Sequence, residues 1–252
     1  MTPLLQSDIL HSEQNRIKSK ILSTNPEKWW GDDFDSRFYL ISKIQNIKEK
    51  KILDLGGGIG IISSEADKSN FMINLDLNIS DLKTCKKITD RDIESIYASM
   101  NKLPFANNSI DVIISSSVLQ YAKLDDIKMK RFEIKDKIRI YPTVQSTLSE
   151  IFRVLRENGR LLLVTPNNSY YNSYMFDFDE LQYAIRTYFS QVEIFFYNTY
   201  PKISNINRKL NMANMIPKLL SKLISPDKII ENLIASKSKN NHSVSFFIEA
   251  TK

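Results

Sequence analysis

Cysteine and histidine are nearly missing from this chain, and each shortage closes off a class of chemistry. Cys85 is the one thiol among 252 residues, so no internal disulfide can form. With only His11 and His242 beside it, no cluster of soft ligands for zinc exists, and no metal site is expected. Long apolar runs are missing too. None approaches the roughly 20 residues that cross a bilayer, and the N-terminus has no apolar stretch of the signal-peptide kind. These absences lead to the expectation of a cytoplasmic protein, peripheral to a membrane at most. Internal repeats and long low-complexity tracts are also absent.

What is present describes an ordinary globular chain. A hydrophobic fraction of 42% with 25% charged residues supplies a core and argues against wholesale disorder. The length suits one large α/β domain, or such a domain with an appended cap. The formal charge is +6, and residues 201–241 hold eight Lys or Arg against Asp227 and Glu231, which accounts for the whole excess. A basic segment attracts nucleic acid, anionic lipid or a phosphorylated substrate, and a solvated surface carries the same pattern. Residues 236–243 read as an exposed polar loop.

Strand and helix signals alternate along the chain. Strands are expected at Lys51–Leu55, Phe71–Leu75 (ending at Asp76), near Ile96, at Ile110–Ser115 and at Arg160–Thr165. Val192–Phe196 and Val244–Ala250 supply the last two. Helices are expected at Ile59–Lys68, Ile79–Thr89, Val144–Arg156 and Asp179–Tyr188, with Asn158-Gly159 as the C-terminal stop of the third. The series predicts a mostly parallel sheet of seven strands with helices on both faces, and a ligand at the carboxyl ends of the strands beside the switch in strand order.

Only six glycines occur, and four fall in five positions: Gly56, Gly57, Gly58 and Gly60. Glycine permits positive φ and lets the main chain approach a ligand without an intervening Cβ. The following helix opens with unpaired N–H groups. Spacing narrows the ligand. The dinucleotide fingerprint G-x-G-x-x-G needs glycine at 61 or 63, where Ile61 and Ser63 stand, and the Gly-Lys-Ser/Thr end of a P-loop is absent. Asp76 lies 18 residues after Gly58 at the end of the second strand, where a carboxylate can accept hydrogen bonds from both ribose hydroxyls.

The run Asp54-Leu55-Gly56-Gly57-Gly58-Ile59-Gly60 resembles the first motif, D-x-G-x-G-x-G, of class I S-adenosylmethionine-dependent methyltransferases, of the type 11 kind. Leu103-Pro104-Phe105 with Ser109-Ile110-Asp111-Val112-Ile113 is similar to the family's "LPF…SFDVV" segment. Glu150 to Leu161 is similar to "EIxRVLKPGGxL", and Thr165-Pro166-Asn167 to a common strand ending. Together these cover about residues 51–167. The resemblance implies a Rossmann-like fold and S-adenosylmethionine as cofactor. It implies a site formed by Asp54, Gly56, Gly57, Gly58, Gly60, Asp76, Leu77, Ser99, Met100, Asn101, Ser115 and Ser116. At position 99, relatives often carry aspartate facing the adenine; serine offers a weaker neutral bond.

Methyl transfer from a sulfonium is an in-line displacement, so alignment in a water-poor pocket can supply much of the rate, and a base is optional. No residue is assigned as catalytic. Tyr121 stands where related enzymes often have histidine, and Tyr39, Gln120, Tyr121 and Asn167 are the candidates for acceptor contact, with core packing as the alternative for the aromatics. Residues 1–45, with Trp29, Trp30 and Arg37, are expected to form an N-terminal helical cap on a methyltransferase domain over 46–252. Residues 123–141 form either a lid-like insertion or an ordinary exposed helix with Lys123, Lys128, Lys130 and Arg131 in water. Leu210–Ile224 has an amphipathic pattern, broken by Pro217, that suits a cap over 201–241 or an interfacial element. The expected partner is a small-molecule acceptor, with a lipid-linked, saccharide or anionic one left open. RNA methylation and a noncatalytic cofactor-binding scaffold are the alternatives. Nucleic acid is disfavoured because no added RNA-binding module exists and the strand-four ending is Ser115-Ser116-Ser117-Val118 rather than an N-P-P-Y motif.

Overall fold

The computed structural model describes residues 39–41, 43–89, 91–168, 174–197, 234–235 and 245–252. In chain order the first half comprises β1 (Lys51–Leu55), α1 (Ile61–Ser64), β2 (Phe71–Asp76), α2 (Ile79–Ile88), β3 (Ile93–Tyr97) and β4 (Ile110–Ser116). Then come α3 (Leu119–Lys128), β5 (Glu133–Lys135), β6 (Ile138–Ile140), α4 (Pro142–Val154) and β7 (Leu155–Pro166). The chain closes with α5 (Phe178–Arg186), β8 (Gln191–Tyr197), β9 (Ile234–Ala235) and β10 (Ser245–Thr251).

One sheet runs in the order β3-β2-β1-β4-β7-β10-β8-β9. The first five of these strands are parallel, and β10 lies antiparallel between β7 and β8. This is the expected seven-stranded, mostly parallel sheet, with the two-residue β9 added as an eighth strand on the outer edge of β8. The apolar runs of β1, β4 and β7 follow from burial on both faces. Leu53, Ile113, Leu161 and Leu163 point to one layer, with α3, α4 and α5. Ile52, Val112, Ile114, Leu162 and Val164 point to the other, with α1, α2 and the helical residues 39–41 and 43–45. Alternation at period two therefore sorts each strand between two cores.

Several boundaries differ from the sequence reading, each for a local reason. The helix expected over Ile59–Lys68 is only Ile61–Ser64, because Gly60 precedes it in the left-handed conformation and Asp67 captures the Ser69 amide (2.9 Å) in a turn. The third helix stops at Val154, not at Asn158-Gly159, because Leu155 enters the sheet opposite Ile110 and the Lys252 ammonium takes the carbonyls of Phe152 (2.8 Å) and Leu155 (2.9 Å). Residues 156–159 then bulge before Arg160 rejoins the ladder at Val112. Gly159 serves close approach there, since a Cβ would lie 2.7 Å from the Arg156 carbonyl oxygen, while Asn158 takes the positive φ of 62°.

The expected cap over 201–241 apart from Ile234–Ala235, the loop 236–243, the helix Leu210–Ile224, Val244 and the first 38 residues, including Trp29, Trp30 and Arg37, lie outside the described residues. Among the described residues no helix is long and apolar enough to cross a membrane.

The residues just before β1 are fastened to the far side of the sheet. Tyr39 stacks on Phe247 at 4.2 Å and donates its hydroxyl to Glu249, which also pairs with Lys43 (2.7 Å) and Arg160 (3.3 Å). Burial raises the Glu249 carboxyl, but the Lys43 ammonium and the Tyr39 hydroxyl outweigh it and hold the group below the usual carboxylate range. The stability this carries is present above the ordinary glutamate pKa and lost as pH falls through the lower folded value. Glu249→Gln should therefore cost about 1–2 kcal/mol at neutral pH. In urea melts the gap from wild type should close below about pH 4; an equal gap at both pH values would refute the ion cluster as its source.

Candidate functional site

Strand order reverses beside β1, where β2 and β4 leave in opposite directions, and the glycine turn occupies the carboxyl end of β1 at that point. The turn is held from below by polar atoms of the strands. The Gly56 N–H donates to the Leu75 carbonyl at 2.7 Å, and the Asn74 amide donates to the Gly58 carbonyl at 2.8 Å. The Gly58 N–H donates to the Asp76 carboxylate at 2.9 Å. Asp54, 1% exposed, accepts the Ser63 hydroxyl at 2.7 Å. Main chain thus rests directly on Asp54 and Asn74, and a Cβ on Gly57 would stand 2.5 Å from atoms of both.

The four glycines meet different demands. Gly57 is needed for close approach. Gly58, at φ 54°, is needed for conformation: a Cβ there would meet only Asp81, at 3.8 Å, so its outer side faces open space. Gly56 and Gly60 meet both demands: φ is positive at each, and an added Cβ would lie 2.3 Å from the Val118 side chain and 2.4 Å from the Cys85 sulfur respectively. Cys85 is packing under the turn. Burial pushes its thiol up, so it stays protonated and is a poor nucleophile.

Acidic groups frame the open side. Asp76 accepts Gly58 N–H on one oxygen and Asn78 N–H (2.8 Å) on the other, which orients the carboxylate and leaves a lone pair on each oxygen for a diol. Asp81 lies in the first turn of α2, whose cap is the Asn78 side chain. Its pKa is raised: burial is the larger cause and the neighbouring Asp76 charge adds to it, so two carboxylates stand close together at the mouth of the turn.

The other expected residues fall at the same end of the sheet, with differing freedom. Leu77 is exposed, beside Asp76. Ser99 accepts the Asn101 N–H at 3.3 Å, Met100 packs on the core, and the Asn101 side chain accepts from Thr147 of α4 at 2.6 Å. Ser115 is buried and donates to the Leu55 carbonyl at 3.1 Å, while Ser116 is half-buried. Gln120 is buried and accepts the Thr165 hydroxyl at 3.4 Å. Asn167 is buried and bridges to Phe176. Tyr121 is half exposed, its ring 6.3 Å from Tyr174. Tyr39 is not brought to this end. Glu249, its partner, lies opposite Leu162, four positions before the end of β7.

Lys123 departs from the reading that placed it in water. It is 3% exposed and bonds the Glu180 carboxylate of α5 (2.5 Å) and the Met175 carbonyl (2.6 Å), with the Tyr141 and Phe176 rings about it. Asn74, Asp81, Val118 and Glu180 were not expected as site or supporting residues. Asn74 had a signal, a lone amide in the middle of an apolar strand; the partners of Val118 and Glu180, Gly56 and Lys123, lie about sixty residues away in sequence.

A methionine-bearing adenosyl ligand fits this arrangement: a turn open at Gly58, a carboxylate set for a ribose diol, and negative potential for an ammonium and a sulfonium. Residues 53–163 match the family model described as a methyltransferase domain. The chain is similar to the ubiquinone/menaquinone biosynthesis C-methyltransferase UbiE of Wigglesworthia glossinidia brevipalpis, at 30% identity over 173 residues, 64% of this chain and 53% of that protein. A protein of the same description from Rhizobium rhizogenes is 28% identical over 174 residues, 64% of this chain and 57% of that one. The chain thus spans little more than half the length of these relatives. Among solved structures, a TehB-like SAM-dependent methyltransferase from Corynebacterium glutamicum superposes with a TM-score of 0.55 at 16% identity, covering 96% of this chain and 98% of that one. Phosphoethanolamine N-methyltransferase 2 of Haemonchus contortus, in complex with S-adenosyl-L-methionine, gives 0.53 at 17%, covering 87% and 52%. At such identities the likeness concerns the fold.

The two central glycines should respond differently to alanine. Gly57→Ala forces main chain off Asp54 and Asn74 and should cost about 1–3 kcal/mol. Gly58→Ala meets open space and should cost about 1–2 kcal/mol, from backbone conformation alone. Thermal melts of the two, paired with crystal structures, should show the turn displaced only in the Gly57 variant; a displaced turn in the Gly58 variant would contradict the assignment.

Proposed function

We propose that the protein is an S-adenosylmethionine-dependent methyltransferase acting on a small-molecule acceptor, a lipid-linked ring methylated at carbon; the match of residues 53–163 to a methyltransferase domain supports the activity. The single observation that carries the cofactor half is the glycine turn clamped between the Asn74 amide and the Asp76 carboxylate. The acceptor half draws on the half-exposed Tyr121, with Tyr174 6.3 Å from it, as aromatic surface on which a flat ring can stack. It draws also on the relatives, which are described as C-methyltransferases of ubiquinone/menaquinone biosynthesis.

The cofactor, when bound, supplies an electrophilic methyl group on a positively charged sulfur. Chain residues do the rest. Asp76 would hold the ribose hydroxyls, with Leu77 against the adenosine, and Ser99 and Met100 would meet the adenine edge. The main chain at Gly56–Gly60 would pass along the methionine portion, and the negative potential around Asp76 and Asp81 would favour its ammonium. Gln120, Tyr121 and Asn167 would position the acceptor in line with the methyl group. As the bond from ring carbon to methyl forms, the S–CH3 bond would break to leave a neutral thioether, and the hydrogen of that ring carbon would leave as a proton to solvent; the chain's residues would contribute alignment and exclusion of water during transfer.

Radiolabelled S-adenosylmethionine incubated with the protein and a cell extract should place label in the organic-soluble fraction. Label in RNase-sensitive material, or none anywhere, would refute the proposal. Asp76→Ala should weaken cofactor binding by about 1.5–3 kcal/mol in a protein that still folds, and Asp76→Asn by less; unchanged affinity in both would remove Asp76 from the site.

A further inference from the structure

The segment 123–141 runs from α3 through the hairpin β5–β6 to the start of α4, with an apolar and cationic surface. Its base is fixed: Asp126 is buried and accepts the Thr143 N–H (2.7 Å) and hydroxyl (2.6 Å) at the start of α4, with Arg131 at 3.2 Å, and Lys123 is locked to Glu180. Its tip is the hairpin β5–β6. The two-residue loop Asp136-Lys137 carries positive φ at both positions (51° and 68°), as a type I′ turn requires. Register places Ile134 opposite Arg139, and alternation puts Phe132 on the same outward face, with Arg139 5.7 Å over its ring. Ile138 and Ile140 lie on the other face, half-buried, where β6 packs against α5.

The outward side is apolar and cationic together. Met129 and Ile134 are each 68% exposed, and Ile127 and Phe132 join them. Residues 127–140 contain Lys128, Lys130, Arg131, Lys135, Lys137 and Arg139 against Glu133 and Asp136, so 6 − 2 gives a net charge of +4. Topology sets where this patch lies. Helix α4 ends at Val154, next to the start of β7, and α5 ends just before β8, so both helices begin at the carboxyl end of the parallel strands. The hairpin leads into α4 and therefore stands at the same end as the glycine turn.

We propose that this hairpin docks the protein on an anionic lipid bilayer, with Ile127, Met129, Phe132 and Ile134 entering the interface and the surrounding lysines and arginines on lipid phosphates. Exposed aliphatic side chains favour a bilayer over nucleic acid, because they gain nothing from a phosphodiester backbone but leave water on entering the acyl boundary. Docking would turn the site end of the sheet toward the membrane. The inference stands on the hairpin alone and does not require any particular acceptor.

Flotation of the full chain with vesicles tests it without reference to methyl transfer. Wild type should float with vesicles of phosphatidylcholine containing phosphatidylglycerol, and weakly or not at all with phosphatidylcholine alone. Met129→Ser/Ile134→Ser and, separately, Lys128→Glu/Lys130→Glu should each lower partitioning by about tenfold or more. S-adenosylmethionine affinity, measured on the same preparations, should be unchanged and certifies folding. Undiminished flotation of both variants, no flotation of wild type, or flotation that high salt leaves untouched would each overturn the proposal, as would loss of RNA binding rather than vesicle binding in the variants.

Discussion

The site depends on main chain lying directly upon side chains: the turn from Gly56 to Gly60 rests on Asp54 and Asn74 with no Cβ between them. Buried polar groups require partners, and the turn and the helix after it supply one to each of these side chains. Asn74 gives its amide to Gly58, Asp54 accepts Ser63 from the first turn of α1, and Asp76 takes the Gly58 N–H. Three strand-borne polar residues therefore dictate one loop conformation. The loop in turn decides that α1 starts late and is short, and it leaves the outer side of Gly58 open.

The buried polar side chains that serve the turn, Asp54, Asn74 and Ser115, lie in the carboxyl halves of their strands. The middle of β1, β4 and β7 is divided between two dry layers and can afford none. At the edge, Ser115, Thr165, Gln120 and Asn167 are buried together with the turn, and Lys123 and Glu180 continue the polar layer into the helices above. An ion pair such as Lys123–Glu180 adds less net stability than its short distance suggests, since both charges were taken from water; it fixes how α3 meets α5.

How much of this was legible in the sequence depended on the range of the interaction. The glycine cluster, the strand-end Asp76 and the apolar runs are local signals, and from them the sheet, both helix layers and the position of the candidate site could be read. Boundaries governed by remote partners were not legible. The end of α4 at Val154 is set by the register of Leu155 on Ile110 and by the ammonium of Lys252, nearly a hundred residues away. Lys123 reads as a solvent lysine because nothing near it announces Glu180. Tyr39 reads as a pocket residue from its place before β1, yet Phe247 and Glu249 hold it elsewhere. Asn74 was visible as an amide in the run Phe71–Asp76, though not its purpose.

Calorimetric titration of the purified protein with S-adenosylmethionine, S-adenosylhomocysteine, NAD and ATP under one set of conditions tests the central claim most directly. The account predicts binding of the two adenosyl amino acids and not of the other nucleotides, with the cationic S-adenosylmethionine favoured by the acidic mouth of the turn. Preference for NAD or ATP, or no binding of either adenosyl amino acid, would contradict it.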